Sequence, residues 1–185
     1  MDSAQRLTQT RSFEGFSFQD IADEIGIRKA SLYHHFESKD DVAIAMLQRA
    51  ADWVSAQFKK AEGREPRERL EAYFDLFREI HGKAERMCPG GSFAAVFDAV
   101  SSPVQASLYR FAKMHVDWLE EVVREGVEQG QFTIGDQRPR DVAAQILASV
   151  QGALLVGRLS SDRHVLGAAA EGIRRYLAYV PKETH

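Results

Sequence analysis

Residues 17–36 constrain the fold more than any other stretch of this chain. Ser17-Phe18-Gln19-Asp20 starts with a hydroxyl that can cap a helix and has an acid at the third position, a capping-box-like start. Phe18, Ile21, Ala22 and Ile25 then fall on one face of a short helix. Gly26 follows, where a tight turn needs positive φ. A second short helix runs from Arg28 to Phe36, with Leu32 and Phe36 turned inward and Arg28, Lys29, Ser31, Tyr33 and His34 turned outward.

Helical spacing continues through the rest of the 185 residues, and no period-2 alternation or hairpin turn interrupts it. Leu70, Tyr73, Phe74, Phe77 and Ile80 make one apolar face. Leu108, Phe111, Ala112, His115, Trp118, Leu119, Val122 and Val123 make another, sustained over several turns. Breaks fall at Gly63–Pro66, at Cys88-Pro89-Gly90-Gly91, at Ser101-Ser102-Pro103, over Gly130–Pro139 and at Ser160–Asp162. Ser102 is expected to cap the long helix that Pro103 opens. The expected fold is all-α, with a helix-turn-helix unit over residues 1–47 and a larger helical unit over 48–185. A chain that is 44% hydrophobic and 28% charged can bury such a core. The most apolar stretch, Val142–Leu159, is interrupted by Gln145, Ser149, Gln151 and Arg158, which argues against a membrane span. No apolar segment follows the polar start, and the single cysteine, Cys88, precludes an intrachain disulfide. Both fit a cytoplasmic protein.

Two short helices joined by a glycine turn form the unit that lays its second helix in a DNA major groove. Arg28 and Lys29 can donate to guanine edges or phosphates, Ser31 and Tyr33 carry hydroxyls, and His34 adds a donor. Lys39 opens the next helix, where backbone N–H groups also favour a phosphate. Bulk charge lends no support: the net charge is −3, and residues 1–49 carry eight acids against six bases. Spacing alone is equally compatible with a small capped packing unit.

The run Ser17–Val42 (SFQDIADEIGIRKASLYHHFESKDDV) resembles the DNA-binding signature of the TetR family of repressors. The similarity covers about Leu7 to Leu47. It implies a three-helix DNA-binding domain, a fourth helix leading into a helical ligand-binding domain, and homodimers on palindromic double-stranded operators. Carried over residue by residue, Ser17, Arg28, Lys29, Ser31, Tyr33, His34 and Lys39 match the family's DNA-contacting positions. Three features depart from the pattern. The first helix, about Asp2 to Arg11, is short and lacks a basic arm, Ser12 replaces a usual glycine, and Arg28 replaces the usual Ser or Thr cap of the recognition helix.

An aromatic stripe at helical spacing is more often core than ligand site. The resemblance nevertheless implies an effector pocket in this region. The expected lining is Tyr73, Phe77, His81, Cys88, Phe93, Phe97, Phe111, His115 and Trp118, around a small, largely apolar or electrophilic effector. Cys88 stands at a helix start where a dipole can stabilise a thiolate, and the other reading is a buried, inert thiol. Val142, Ile146, Leu147, Val150, Leu154 and Leu155, with small residues between them, and Ala168–Ala170, Ile173, Tyr176 and Leu177 form apolar faces on the last two helices. The resemblance implies that these helices pair with their copies.

His81 and His115 lack partners at ligand spacing, so neither a metal nor a cofactor is expected. A phosphate loop, an H-E-x-x-H pair and a nucleophile elbow are all missing, which argues against an enzyme. The reading is a ligand-responsive DNA-binding transcriptional regulator, a repressor by family resemblance. Its rival is a helical small-molecule-binding or interaction protein without operator binding.

Overall fold

The computed structural model describes residues 2–11, 13, 15–82, 88–160, 162 and 164–178, with backbone alone at residues 9, 10 and 80–82. All regular elements among them are helical. They are α1 (Asp2–Arg11), α2 (Phe18–Ile25), α3 (Lys29–Tyr33), α4 (Lys39–Ala61), α5 (Pro66–Gly82), α6 (Pro89–Ala94), α7 (Ser102–Glu128), α8 (Pro139–Ser160) and α9 (His164–Tyr176). A single 3-10 turn lies at Phe97–Ala99.

The chain forms two compact units that interleave in sequence. The first joins residues 1–53 to 86–112, and the second joins 54–85 to 113–185. The helices α4 and α7 therefore each contribute residues to both.

In the first unit, Leu7, Phe13, Phe16, Phe18, Ile21, Leu32, Val42, Met46 and Leu47 bury one core with Phe93, Val100, Val104 and Leu108. The α6 segment, which chain order places in the effector half, thus completes the core under the helix-turn-helix. The Phe13 and Phe93 rings lie 5.1 Å apart. Burying aromatic and branched side chains at about 25 cal/mol per Å² is what holds such short helices in place, since helices of five to ten residues are marginal alone. At the start of α7 the Gln105 N–H bonds the Ser101 carbonyl at 2.9 Å. The helix thus begins at Ser102, one residue earlier than the expected Pro103, and Ser101 stands at the cap position through its backbone carbonyl, its hydroxyl making no hydrogen bond among the described residues.

In the second unit, Leu70, Tyr73, Phe74 and Phe77 of α5 are buried, as are Leu119, Val122 and Val123 of α7. Ile80, read on the same face of α5, has its side chain outside the described residues. Helices α8 and α9 pack along each other. Arg174 of α9 holds Glu71 of α5 through two 2.7 Å bonds, a bidentate pair with its guanidinium 5.5 Å from the Phe74 ring centroid. Val142, Ile146, Val150 and Leu154 are turned inward rather than to a partner copy. The outward face of α8 instead carries Ala144, Ala148, Gly152, Leu155 and Leu159, all exposed at i, i+4 or i+3 spacing.

Candidate nucleic-acid interface and ligand cleft

The helix-turn-helix is built by local rules. Ser17 caps α2 with extended backbone. Its hydroxyl accepts from the Asp20 N–H, and the Asp20 carboxylate accepts from the Ser17 N–H at 2.7 Å. The Ser17 hydroxyl also donates to the Asp20 carboxylate at 2.6 Å, and this bond, with the one from the Ser17 N–H and with Arg11 nearby, holds the Asp20 carboxyl below its ordinary range. Gly26 ends α2 at φ 71°, in the left-handed region open to glycine, and its N–H bonds the Ala22 carbonyl.

Arg28 stands at the cap of α3 with extended backbone and no side-chain cap bond, because a guanidinium has no acceptor to offer. The helix spans Lys29–Tyr33, shorter than the 28–36 expected, and the shortfall lies at its C-terminal end, where the His35 and Phe36 N–H groups both turn onto the Leu32 carbonyl at 3.0 and 2.9 Å. Leu32 is buried, Phe36 is half-buried beyond the helix end, and Arg28, Lys29, Tyr33 and His34 are exposed with Ser31 half-buried beside them. Arg28 and Lys29 form no ion pair among the described residues, whereas the neighbouring basic groups are engaged. Arg6 of α1 pairs with Glu24 of α2 and draws that carboxyl below its ordinary range; Arg11 pairs with Asp20 at 3.5 Å. The exposed positive charge of this face is thereby concentrated on α3.

Three side chains unassigned at sequence level position the contact set. The Phe18 ring lies 5.1 Å from the Tyr33 ring and steadies it. Phe13 and Phe16 lie under the Lys39 ammonium, at 4.5 and 4.6 Å. Their shared signal was only an aromatic at every second or third residue from Phe13 to Phe18. Ser38 and Asp41 repeat the capping box at the start of α4, with bonds of 2.8 and 3.2 Å. Ser12, where the turn departs from the family pattern, lies outside the described residues.

In the second unit Tyr73, Phe77, His115 and Trp118 come together, joined by Phe58 of α4. The Phe58 and Trp118 rings stack at 4.2 Å and 8°. The Tyr73 hydroxyl lies 3.1 Å from His115 Nδ1, with Phe58 and Phe77 on the imidazole at 5.6 and 6.0 Å. Burial pushes the His115 pKa down to about 4, so the ring is neutral at pH 7. The His81 side chain lies outside the described residues.

A cleft of about 640 Å³ opens at the α4–α5 turn against α7. Phe58, Arg64, Arg69, Trp118, Glu121 and Glu125 are among its lining residues. A smaller one of about 210 Å³ shares Phe58, Arg64 and Trp118 and reaches Tyr73 and Leu76. Cys88, Phe93, Phe97 and Phe111 belong to the first unit. Cys88, 2% exposed, precedes α6; Phe93 is core; Phe97 is 44% exposed; Phe111 packs where a Cβ on Gly90 would come within 2.7 Å of its ring.

The model of bacterial regulatory proteins of the tetR family matches residues 1–46. The HTH-type transcriptional repressor DhaR of Mycobacterium sp. (strain GP1) is 29% identical over 161 residues, covering 84% of this chain and 79% of that protein. A TetR-family transcriptional regulator from Agrobacterium tumefaciens superposes with a TM-score of 0.88 at 26% identity, covering 94% of this chain and 93% of the other. A TetR transcriptional regulator from Legionella pneumophila does so at 0.85 and 27%, covering 94% and 92%. The capped helix pair, the all-helical body and these similarities lead to one assignment: residues 1–46 carry the DNA-binding region of the tetR family, and the chain as a whole is similar to TetR-family transcriptional regulators.

Proposed function

We propose that this chain is a cytoplasmic repressor that binds a palindromic operator as a homodimer and leaves it when a small molecule occupies the second unit. The observation that carries the reading is the face of α3, where Arg28, Lys29, Tyr33 and His34 are exposed and neither Arg28 nor Lys29 forms an ion pair among the described residues. Ser17, Ser31 and Lys39 complete the proposed contact set, Ser17 and Lys39 at helix starts suited to phosphate. One protomer reads one half-site, so a two-fold pair is needed to fill successive major grooves about 34 Å apart. The outward small and apolar face of α8, with Ala168 and Tyr176 of α9 exposed beside it in sequence, is the proposed pairing surface. By length and composition α8 could cross a bilayer, but Asp141 and Arg158 lie along it and its inward side packs in the protomer.

The proposed release is a population shift. The effector must bind the DNA-incompetent state more tightly than the operator-bound one, and α4, which contributes to both units, is the natural lever. The buried aromatic group around His115 and the adjoining clefts favour reversible binding in the second unit. Burial of Cys88 disfavours an electrophile reaching its thiol.

The test is fluorescence anisotropy on an operator selected from random DNA, with Lys29→Ala and Tyr33→Ala compared with wild type. Both variants should bind at least tenfold more weakly with unchanged circular dichroism, and wild-type binding should weaken steeply with salt. Unchanged affinity in both variants removes α3 from recognition. Salt-independent binding, or none, favours the interaction-protein reading.

A further inference from the structure

The cleft at the α4–α5 turn has a chemical preference written at one side chain. Arg69 is 7% exposed and lines the cleft. Its Nη1 donates to Glu125 Oε2 at 2.7 Å. Its Nη2 lies 3.8 Å from Glu121, beyond hydrogen-bond reach, and its buried Nε has no hydrogen-bond partner among the described residues. The Nε–Nη2 edge of a guanidinium is the edge that grips a carboxylate through two parallel bonds. A buried donor without an acceptor is costly, and a ligand oxygen would remove that cost.

Beside this edge stands an aromatic wall. The Arg69 guanidinium lies 5.3 Å from the Trp118 ring centroid, and Trp118 stacks on Phe58. Glu62 and Glu65 line the cleft together with Lys59 and Arg64, so the lining carries both signs. The choice is therefore made at Arg69, where the carboxylate nearest the vacant edge, Glu121, belongs to a half-exposed side chain that can swing into water.

We infer that this cleft binds an aromatic carboxylate. The ring packs against Trp118 and Phe58, and the carboxylate takes the Nε–Nη2 edge of Arg69 in place of Glu121. The volume of about 640 Å³ suits such a molecule, since ligand pockets run roughly 300–1,000 Å³. This rests on the effector-sensing reading of the second unit, but it is tested without DNA.

The experiment titrates the full chain carrying Trp53→Phe, in which Trp118 is the one remaining tryptophan. The probes are 2-naphthoate, 2-naphthylmethanol and 2-naphthylmethylammonium, followed by Trp118 fluorescence and calorimetry. Naphthoate should bind one per chain, at least tenfold tighter than either analogue. Arg69→Lys, which keeps the charge but loses the fork, should weaken it at least tenfold. Glu121→Gln, a surface change that folds even where the Arg69 variant does not, should tighten it several-fold. Tighter binding of the ammonium, binding of the alcohol within twofold of naphthoate, or a Glu121→Gln variant no tighter than its parent overturns the assignment. Operator affinity measured separately judges the regulatory reading, so either can fail while the other stands.

Discussion

His115 stabilises the fold only while its ring is neutral. It is 1% exposed, bonded to Tyr73 and enclosed by Phe58 and Phe77, and burial brings its pKa from 6.5 to about 4. The folded pKa lies below the unfolded one, so the contribution is fully present above pH 6.5 and is lost as pH falls towards 4. One pKa unit is worth about 1.4 kcal/mol, so the full loss is about 3 kcal/mol, of which about 2 kcal/mol has gone by pH 5. Denaturant unfolding of wild type and His115→Phe at pH 7.5 and pH 5 measures this directly. The stability difference between the two proteins should move by about 2 kcal/mol towards the variant at the lower pH, and parallel behaviour would show that the ring titrates normally. The helical spacing of α7 placed His115 on an apolar face but could not name Phe58, its neighbour from α4. Periodicity tells which side of a helix is buried, and the identity of what meets it is a long-range property. The same holds for Lys39: its position at a helix start was legible, whereas the two rings beneath its ammonium come from residues 23 and 26 positions earlier.

At the scale of elements, N-caps decide where helices start and not where they stop. The helix α2 has its whole capping box, whereas α3 starts at an arginine that cannot accept a hydrogen bond and stops after five residues. The cap motif made the start of α2 legible, while the early end of α3 was not, since Leu32 and Phe36 keep helical spacing past the point where the helix closes. Arg28→Ser would supply the missing acceptor, which stabilises a helix start by about 1 kcal/mol. It would also remove an exposed cation. The expected variant is more stable to denaturant yet weaker on the operator, with a shallower dependence of affinity on salt. Loss of stability would show that Arg28 contributes packing that outweighs the cap. A second element-level constraint sits in α7, where a Cβ on Gly126 would overlap the Phe132 ring. That ring cannot retreat easily, because the Phe132 N–H bonds the Gly126 carbonyl at 2.9 Å. Overpacking costs roughly 1–3 kcal/mol, against about 1 kcal/mol of helix propensity regained. Gly126→Ala should therefore lower the thermal midpoint, and an unchanged or raised midpoint would mean the ring moves freely.

At the scale of the whole molecule, helical class and the N-terminal reading unit were written locally, in caps and periods. The interleaving of the units was not. Phe93, Val100, Val104 and Leu108 share a core with helices α1, α2 and α4, a pairing across more than forty residues of chain that no window reveals. The apolar stripe of α8 misleads for the same reason: Val142, Ile146, Val150 and Leu154 satisfy the protomer's own core. What α8 leaves outside is a face of Ala144, Ala148 and Gly152 ending in Leu155 and Leu159, the last 79% exposed. A Cβ on Gly152 would meet nothing within 4 Å among the described residues of the protomer, so a partner backbone could approach closely there. Exposed leucines beside small residues are costly in water and inexpensive to bury. Leu155→Glu/Leu159→Glu should therefore convert a dimer into a monomer in sedimentation velocity while leaving helicity intact. Operator affinity should fall by far more than any change at α3 produces in one half-site, because a monomer loses the second recognition helix altogether. A variant that stays dimeric and binds DNA as wild type would place the pairing surface elsewhere on the molecule.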